Sequence, residues 1–188
     1  RLKRVELTKE IVLPNGRHFS ETLIGGPIWS MDVTPDKELR AIITFPANDE
    51  RIDPEQREPF ILLRFNEQAQ NFDFVPIRNA WLQYPARVSL ESKRGWHVYE
   101  GPEIAIDRSS RHLGRIYVAW SEPRSLLDDP EFQFGKYGRD YNVFLVYSDN
   151  DGETWSEPLR INDDMTEADQ VFPSIQVDRE GVVHVAFV

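Results

Sequence analysis

No cysteine occurs in the 188 residues, which excludes disulfide staples and thiolate metal sites. Histidine is scarce: His18, His97, His112 and His184 are scattered without paired metal-ligand spacing, so no metal site and no cofactor are expected. Long apolar runs are missing. Stretches such as Ile116 to Trp120 fall far short of the ~20 residues needed to cross a bilayer, and no membrane span is expected. Basic residues are outnumbered, 22 against 32 acidic, for a net charge of −10. That disfavours non-specific nucleic-acid binding, since a phosphate backbone needs a basic face, and nucleic acid is not an expected partner. No charged-then-apolar leader follows Arg1, so the chain is read as a mature form or an internal stretch of a longer one. Against these absences stand a hydrophobic content of 40% and an aromatic content of 12%, the composition of a folded domain with a real core.

An internal repeat organises the chain. Pro27-Ile-Trp-Ser-Met-Asp32, Pro102-Glu-Ile-Ala-Ile-Asp107 and Pro173-Ser-Ile-Gln-Val-Asp178 align without gaps, 75 and 71 residues apart. Each has proline first, large apolar residues third and fifth, and aspartate sixth. Apolar spacing of two is a strand signal. Proline is tolerated at the first strand position, and the aspartate begins a turn whose backbone N–H groups its side chain can cap. A second strand follows each turn: Arg40 to Phe45, Arg115 to Trp120, Val182 to Phe187, all ending on an aromatic residue. A further strand–turn–strand lies between these hairpins. Its clearest copy is Val143 to Ser148, the turn Asp149-Asn-Asp-Gly-Glu-Thr154, then Trp155 to Ile161. Looser copies are Phe60 to Phe65 with Phe72 to Ile77, and Val12 to Phe19 continuing to Ile24. The unit is therefore four antiparallel strands. Such a unit cannot bury both faces alone and must stack on neighbours, with the paired apolar residues of the first strands filling the gaps.

Ser148-Asp-Asn-Asp-Gly152-Glu-Thr154-Trp155 resembles the Asp box, Ser-x-Asp-x-Gly-x-Thr-Trp, with Asn150 at the usual aspartate position. The structural set is Ser148, Asn150, Asp151, Gly152, Thr154 and Trp155. Asparagine can accept and donate in the same turn, Gly152 supplies a positive φ, and Trp155 is expected to fold under the turn and bury its ring. A calcium loop is the rival reading of Asp149 to Glu153, but Trp155 interrupts it well before the ~12 residues and terminal bidentate glutamate that an EF-hand requires. The surrounding phrases Trp155-Ser-Glu-Pro-Leu-Arg-Ile-Asn-Asp163 and Val171-Phe-Pro-Ser-Ile-Gln-Val-Asp178 extend the likeness. It is strong over residues 101–188 and rests on the internal alignment over 1–100. The chain thus resembles the Asp-box (BNR) repeat β-propellers of the sialidase-like superfamily.

What the resemblance implies is an all-β chain of about three blades from a six-bladed ring. It divides into outer strands of a half blade (1–26), a blade with a decayed Asp box (27–77), an inter-blade loop or hairpin (78–101), a blade with an Asp box (102–162), and a loop with the inner strands of a half blade (163–188). Remaining blades would come in cis from a longer chain, or, less simply, from a second copy in trans. The resemblance also implies a secreted or periplasmic location. Within 78–101, Arg87 to Leu90 and Trp96 to Tyr99 are placed to form a small hairpin around Lys93-Arg94-Gly95.

In such a unit the first-to-second and third-to-fourth turns lie on one end of the sheets. The other end receives the long connections Pro46–Pro59, Arg78–Gly101, Ser121–Tyr141 and Asn162–Phe172, where function tends to sit. Candidate ligand-face residues are Glu122, Tyr137, Arg139, Tyr141, Asp163 and Asp164. Solvated loops are polar in any case, which is the plainer account of each. Sialidase chemistry needs an arginine cluster that grips a carboxylate, a Tyr–Glu nucleophile and an aspartic acid/base. The family's Arg-Ile-Pro arginine has no counterpart at Gly25, Glu100 or Val171. Tyr117-Val-Ala-Trp-Ser-Glu122-Pro-Arg124 is similar to the strand that carries a second arginine, with Pro123 in place of a usual glycine. On that reading Arg124, Asp128 and Asp129 are the catalytic candidates. Two functions follow as expectations: a non-catalytic module that binds a carbohydrate or other small ligand on the long-loop face, or an exo-sialidase-like retaining glycoside hydrolase completed by further blades.

Overall fold

A computed structural model describes residues 11–12, 18–19, 28–43, 58–66, 71–82, 87–88, 98–99, 101–123, 141–166 and 168–188. Among them every regular element is a β-strand, and no helix is long and apolar enough to cross a membrane. Two four-stranded antiparallel sheets dominate. Sheet I runs β3 (Ile28–Val33), β4 (Leu39–Ile43), β5 (Glu58–Asn66), β6 (Asn71–Leu82), and sheet II runs β9 (Glu103–Ile106), β10 (Ile116–Pro123), β11 (Tyr141–Ser148), β12 (Leu159–Arg160), each in simple sequential order. Sheet III is the hairpin of β13 (Ser174–Val177) and β14 (Val183–Ala186). Two short pairs complete the set: β1 (Ile11–Val12) with β2 (His18–Phe19), and β7 (Arg87–Val88) with β8 (Val98–Tyr99). The latter is the hairpin expected around Lys93-Arg94-Gly95.

The repeat holds at the level of register. Met31 faces Ala41 and Asp32 faces Arg40 in sheet I; Ile106 faces Ile116 in sheet II and Val177 faces Val183 in sheet III. The ladder closes equivalently, with Asp107 N–H on the Arg115 carbonyl and Asp178 N–H on that of Val182. Because side chains alternate along a strand, equal register means equal faces. Ile104, Ile106, Ile116, Val118 and Trp120 of sheet II meet Ile42, Phe60, Leu62 and Ile77 of sheet I in the largest core cluster. The opposite face of sheet II, through Ala105, Tyr117, Ala119 and Leu145, meets Ile175, Val177, Val183 and Val185 of sheet III. Sheets II and III therefore each turn their third- and fifth-position residues toward the sheet before them. In sheet I the corresponding face is also apolar, built from Ala41, Ile43, Ile61, Leu63, Phe72 and Phe74, although Met31 itself is exposed.

First strands lie side by side, β3 and β13 on either side of β9. The outward edge of β9 is satisfied laterally rather than by another strand: Ile104 N–H donates to Ser30 Oγ (3.3 Å) and Ile106 N–H to Asp32 Oδ2 (2.8 Å). Here one expectation needs correction. Asp107 and Asp178 cap their own turns, accepting Ser109 N–H (2.6 Å) and Glu180 and Val182 N–H (2.9 Å each). Asp32 accepts the neighbouring Val33 N–H (2.7 Å), not one within the turn, and otherwise reaches to the next sheet, where it also pairs with Arg108. Thr34 does the capping in that copy, its Oγ1 accepting Glu38 N–H.

Strand ends also differ from the sequence reading. β10 continues past Trp120 to Pro123, because Ser121, Glu122 and Pro123 pair with Val143, Asn142 and Tyr141. β6 extends to Leu82, into the stretch expected to be loop. β12 is shorter than the expected 155–161, since Pro158 has no N–H to contribute.

Candidate functional site

The two ends of the stacked sheets are built differently. At the turn end, residues 148–155 form a closed hydrogen-bonded corner. Ser148 Oγ accepts Gly152 N–H (2.8 Å) and donates to Asn150 Oδ1 (3.0 Å), which in turn accepts Thr154 N–H (2.9 Å). Asp151 and Gly152 both take positive φ, 54° and 87°. A Cβ on Gly152 would sit 2.6 Å from Leu62 Cδ2 of sheet I, so glycine is needed for both conformation and space. Trp155 is half-buried, with its ring against the main core.

Both aspartates of this corner are engaged by guanidinium groups. Arg40 grips Asp151 through both carboxylate oxygens (2.8 and 3.0 Å), Arg64 reaches the Asp151 carbonyl (3.2 Å), and Arg115 grips Asp149 (2.6 and 3.0 Å) while lying over the Tyr147 ring. Burial works against the charge on Arg40, but Asp151 and Glu38 outweigh it and hold its pKa above the ordinary value. A calcium ion would have to displace these arginines, so the corner is a structural clamp between sheets I and II. Gly181 of sheet III sits against Ser109 and Arg111 of sheet II on the same end.

At the opposite end, a polar row crosses sheet II. Glu122 faces Asn142 in the β10–β11 ladder, and Asn162 Nδ2 donates to Asn142 Oδ1 (2.8 Å), to Asp164 Oδ1 (2.8 Å) and toward Gln170 Oε1 (3.2 Å). Glu122, Asn142 and Asn162 are all buried. Asn162 Oδ1 accepts Val143 N–H (2.9 Å), and Trp120 Nε1 donates to Glu122 Oε2 (3.3 Å). One amide NH₂ with two hydrogens thus serves three oxygens, a site rich in acceptors. The loop that follows is tied to the same row. Tyr141 N–H donates to Asp169 Oδ1 (3.2 Å), Gln170 N–H to the Tyr141 carbonyl (2.8 Å), and Tyr141 packs on Val171. Hydrogen bonds from Asn162 and then Thr166 hold the Asp164 carboxyl below the usual carboxylate range.

No family model and no curated protein matches the chain. The site must be judged on its geometry. Of the residues singled out from sequence, Glu122, Tyr141 and Asp164 come together around Asn142 and Asn162, and Asp163 is exposed beside them. The sequence assigns Glu122 and Tyr141 to a loop; both are buried strand residues, because β10 and β11 pair beyond Trp120. Arg124, Asp128, Asp129, Tyr137 and Arg139 lie outside the described residues. Asn142, Asn162 and Gln170 were not anticipated, since isolated amides beside strands carry no periodic signal. Among the described residues, no group of three or more His, Asp or Glu side chains is placed to hold a metal ion.

Two outcomes test this row. Asn162→Ala would strip the acceptor from buried Val143 N–H and the donor from Asn142 Oδ1, at a cost of about 2 kcal/mol in urea unfolding. A loss under about 0.5 kcal/mol would mean that the row is not formed. Asp164 has a depressed folded pKa. Its contribution is therefore present above the unfolded value near 3.9 and is lost as pH falls through the folded one. A ¹³C titration should place its midpoint below about 3.9; a midpoint at or above that value would contradict the contacts described.

Proposed function

We propose that this chain contributes consecutive blades of an Asp-box β-propeller and that the end carrying the long connections is a ligand-binding face for carbohydrate or a similarly hydroxyl-rich molecule. The observation that carries the proposal is the packing order. Successive sheets stack in chain order, sheets II and III turn the same register face to the sheet before, and the first strands lie together. Such an order, continued, is that of a radial stack. The Ser148–Trp155 corner supports the Asp-box reading through its hydrogen bonds, and its role as a clamp leaves the opposite end for binding. That end offers acceptors: Asp163 is exposed, and Asp164 and Gln170 are half-buried, over the buried Glu122–Asn142–Asn162 row, and hydroxyl or amine donors are what such a set recognises. A rigid scaffold with varied connections on one end is where a binding site is expected.

The test combines binding and turnover. The chain should bind members of a glycan array saturably while leaving a fluorogenic sialoside unhydrolysed. Hydrolysis above buffer would instead favour the glycosidase reading, with Arg124, Asp128 and Asp129 as the first positions to mutate. Absence of any glycan binding would sink the carbohydrate proposal.

A further inference from the structure

Sheet III is narrower than sheets I and II, and two features lie side by side where its outer half would be. The first is a strand edge. The bond from Asp178 N–H to the Val182 carbonyl fixes the phase of the β13–β14 ladder. Val182, His184 and Ala186 bond inward to β13, so Val183 and Val185 direct their N–H and C=O groups outward. Among the described residues no strand pairs with that edge, whereas the same edges of β4 and β10 are paired by β5 and β11. Open edges are normally guarded by lysine, proline, a bulge or an inward-pointing charge. Residues 182–188, Val-Val-His-Val-Ala-Phe-Val, hold no charged residue and no proline, and their register with β13 is regular over Ser174–Val177. Val182, Phe187 and Val188 are exposed.

The second feature is an apolar shelf. The face of sheet II turned to sheet III carries Tyr117 and Leu145, covered by Val183 and Val185 of β14. Leu159 stands directly opposite Leu145 in the β11–β12 ladder and so shares that face. The Tyr147 ring tilts against that of Tyr117, with centroids 6.2 Å apart. Past the cover of β14, Leu159 is 59% and Tyr147 37% exposed. In sheet I, which faces a four-stranded sheet, Leu62 and Ile77 of the outer strands are fully buried. An unguarded edge with an apolar shelf beside it is the seat of a further strand pair.

One piece of the chain has that form. β1 and β2 make a two-stranded antiparallel sheet. In the internal alignment Asn15-Gly16 and Phe19-Ser-Glu21 fall at the positions of Asp151-Gly152 and Trp155-Ser-Glu157, so β1–β2 corresponds to the outer pair of sheet II. Seated on sheet III of its own chain, the hairpin would close a ring of three sheets, below the roughly four to eight blades that propellers have. Exchanged between two copies, it completes both sheets III and makes two sets of three sheets, a ring of six with two-fold symmetry. We propose that the outer edge of β14 and the Tyr147–Leu159 shelf dock the β1–β2 hairpin of a second copy of this chain. The inference rests on the radial-stack reading and names its partner. Main-chain bonds along the edge supply the attraction, as in other strand additions. The uncharged stretch 182–188 lets two copies meet there although each carries a net charge of −10.

The test uses the full chain. Light scattering should give twice the mass of one chain. Val185→Pro removes an outward N–H without touching the β13 ladder, and Leu159→Lys places a charge on the exposed shelf. Both variants should keep the β-sheet circular dichroism and scatter as single chains. A dimer that survives both substitutions overturns the docking site. A monomeric unmodified chain overturns the exchange and leaves the stacking of sheets I to III standing. Cross-linking identifies the occupant. By the same alignment Ile11 stands opposite His184, as Tyr147 stands opposite Tyr117. The chain has no cysteine, so a mixture of Ile11→Cys and His184→Cys copies should form a mixed disulfide on oxidation, while either variant alone should not. A dimer without that disulfide overturns the choice of the hairpin.

Discussion

Replacing Trp120 with alanine is expected to remove about 3–5 kcal/mol of folding stability, the largest effect of any single substitution considered. Trp120 is 2% exposed and is the meeting point of both large sheets. It lies edge-on to Phe60 of sheet I, with ring centroids 5.7 Å apart, and stacks on Phe144 of its own sheet at 5.8 Å. Its indole N–H also reaches Glu122. Deletion would open a cavity between sheets and leave the buried carboxylate without that donor, so two costs add. Urea unfolding should show a lower midpoint with little change in slope. A cost below about 1 kcal/mol would mean that sheets I and II do not share a core.

The second large effect belongs to the clamp. Asp151→Ala should cost about 3 kcal/mol, because Arg40 is 4% exposed and would keep only Glu38 as its carboxylate partner. This is the lower end of the range for a broken buried pair, since Asp151 itself is partly exposed. Arg40→Met combined with Asp151→Ala should cost clearly less than the two changes summed, because no buried charge is then left unpaired. Additive costs would show that the two residues act independently and that the corner does not bind sheet II to sheet I.

Much of the scaffold is legible in the sequence. The Pro-to-Asp segments specify three first strands whose registers coincide from the fourth position onward, because period-two apolar spacing acts locally. The 148–155 corner was legible for the same reason: its hydrogen bonds run between residues two to four apart. What sequence hid depends on partners far along the chain. Asp32 shares the aspartate position yet spends its side chain on Ile106 and Arg108, 74 and 76 residues away. Pro123 reads as a strand terminator, but at the last rung of β10 it pairs with Tyr141 without harm to the ladder. The bulge at Trp29 is invisible in β3 alone, because it exists only relative to β4 and requires Gly101 to make room.

The candidate site was less legible than the scaffold. Charged residues in the connections were easy to pick out, yet the buried row is built around two asparagines, whose importance comes from facing one another across sheet II.

The central claim is that the sheets are successive members of a radial stack. A crystal structure of the protein tests it most directly. The account predicts a closed ring in which β3, β9 and β13 lie innermost about one axis, with the 148–155 corner and the Asn142–Asn162 row on opposite ends. The same strands lying in an open two-layer sandwich, or with β9 away from β3 and β13, would contradict it.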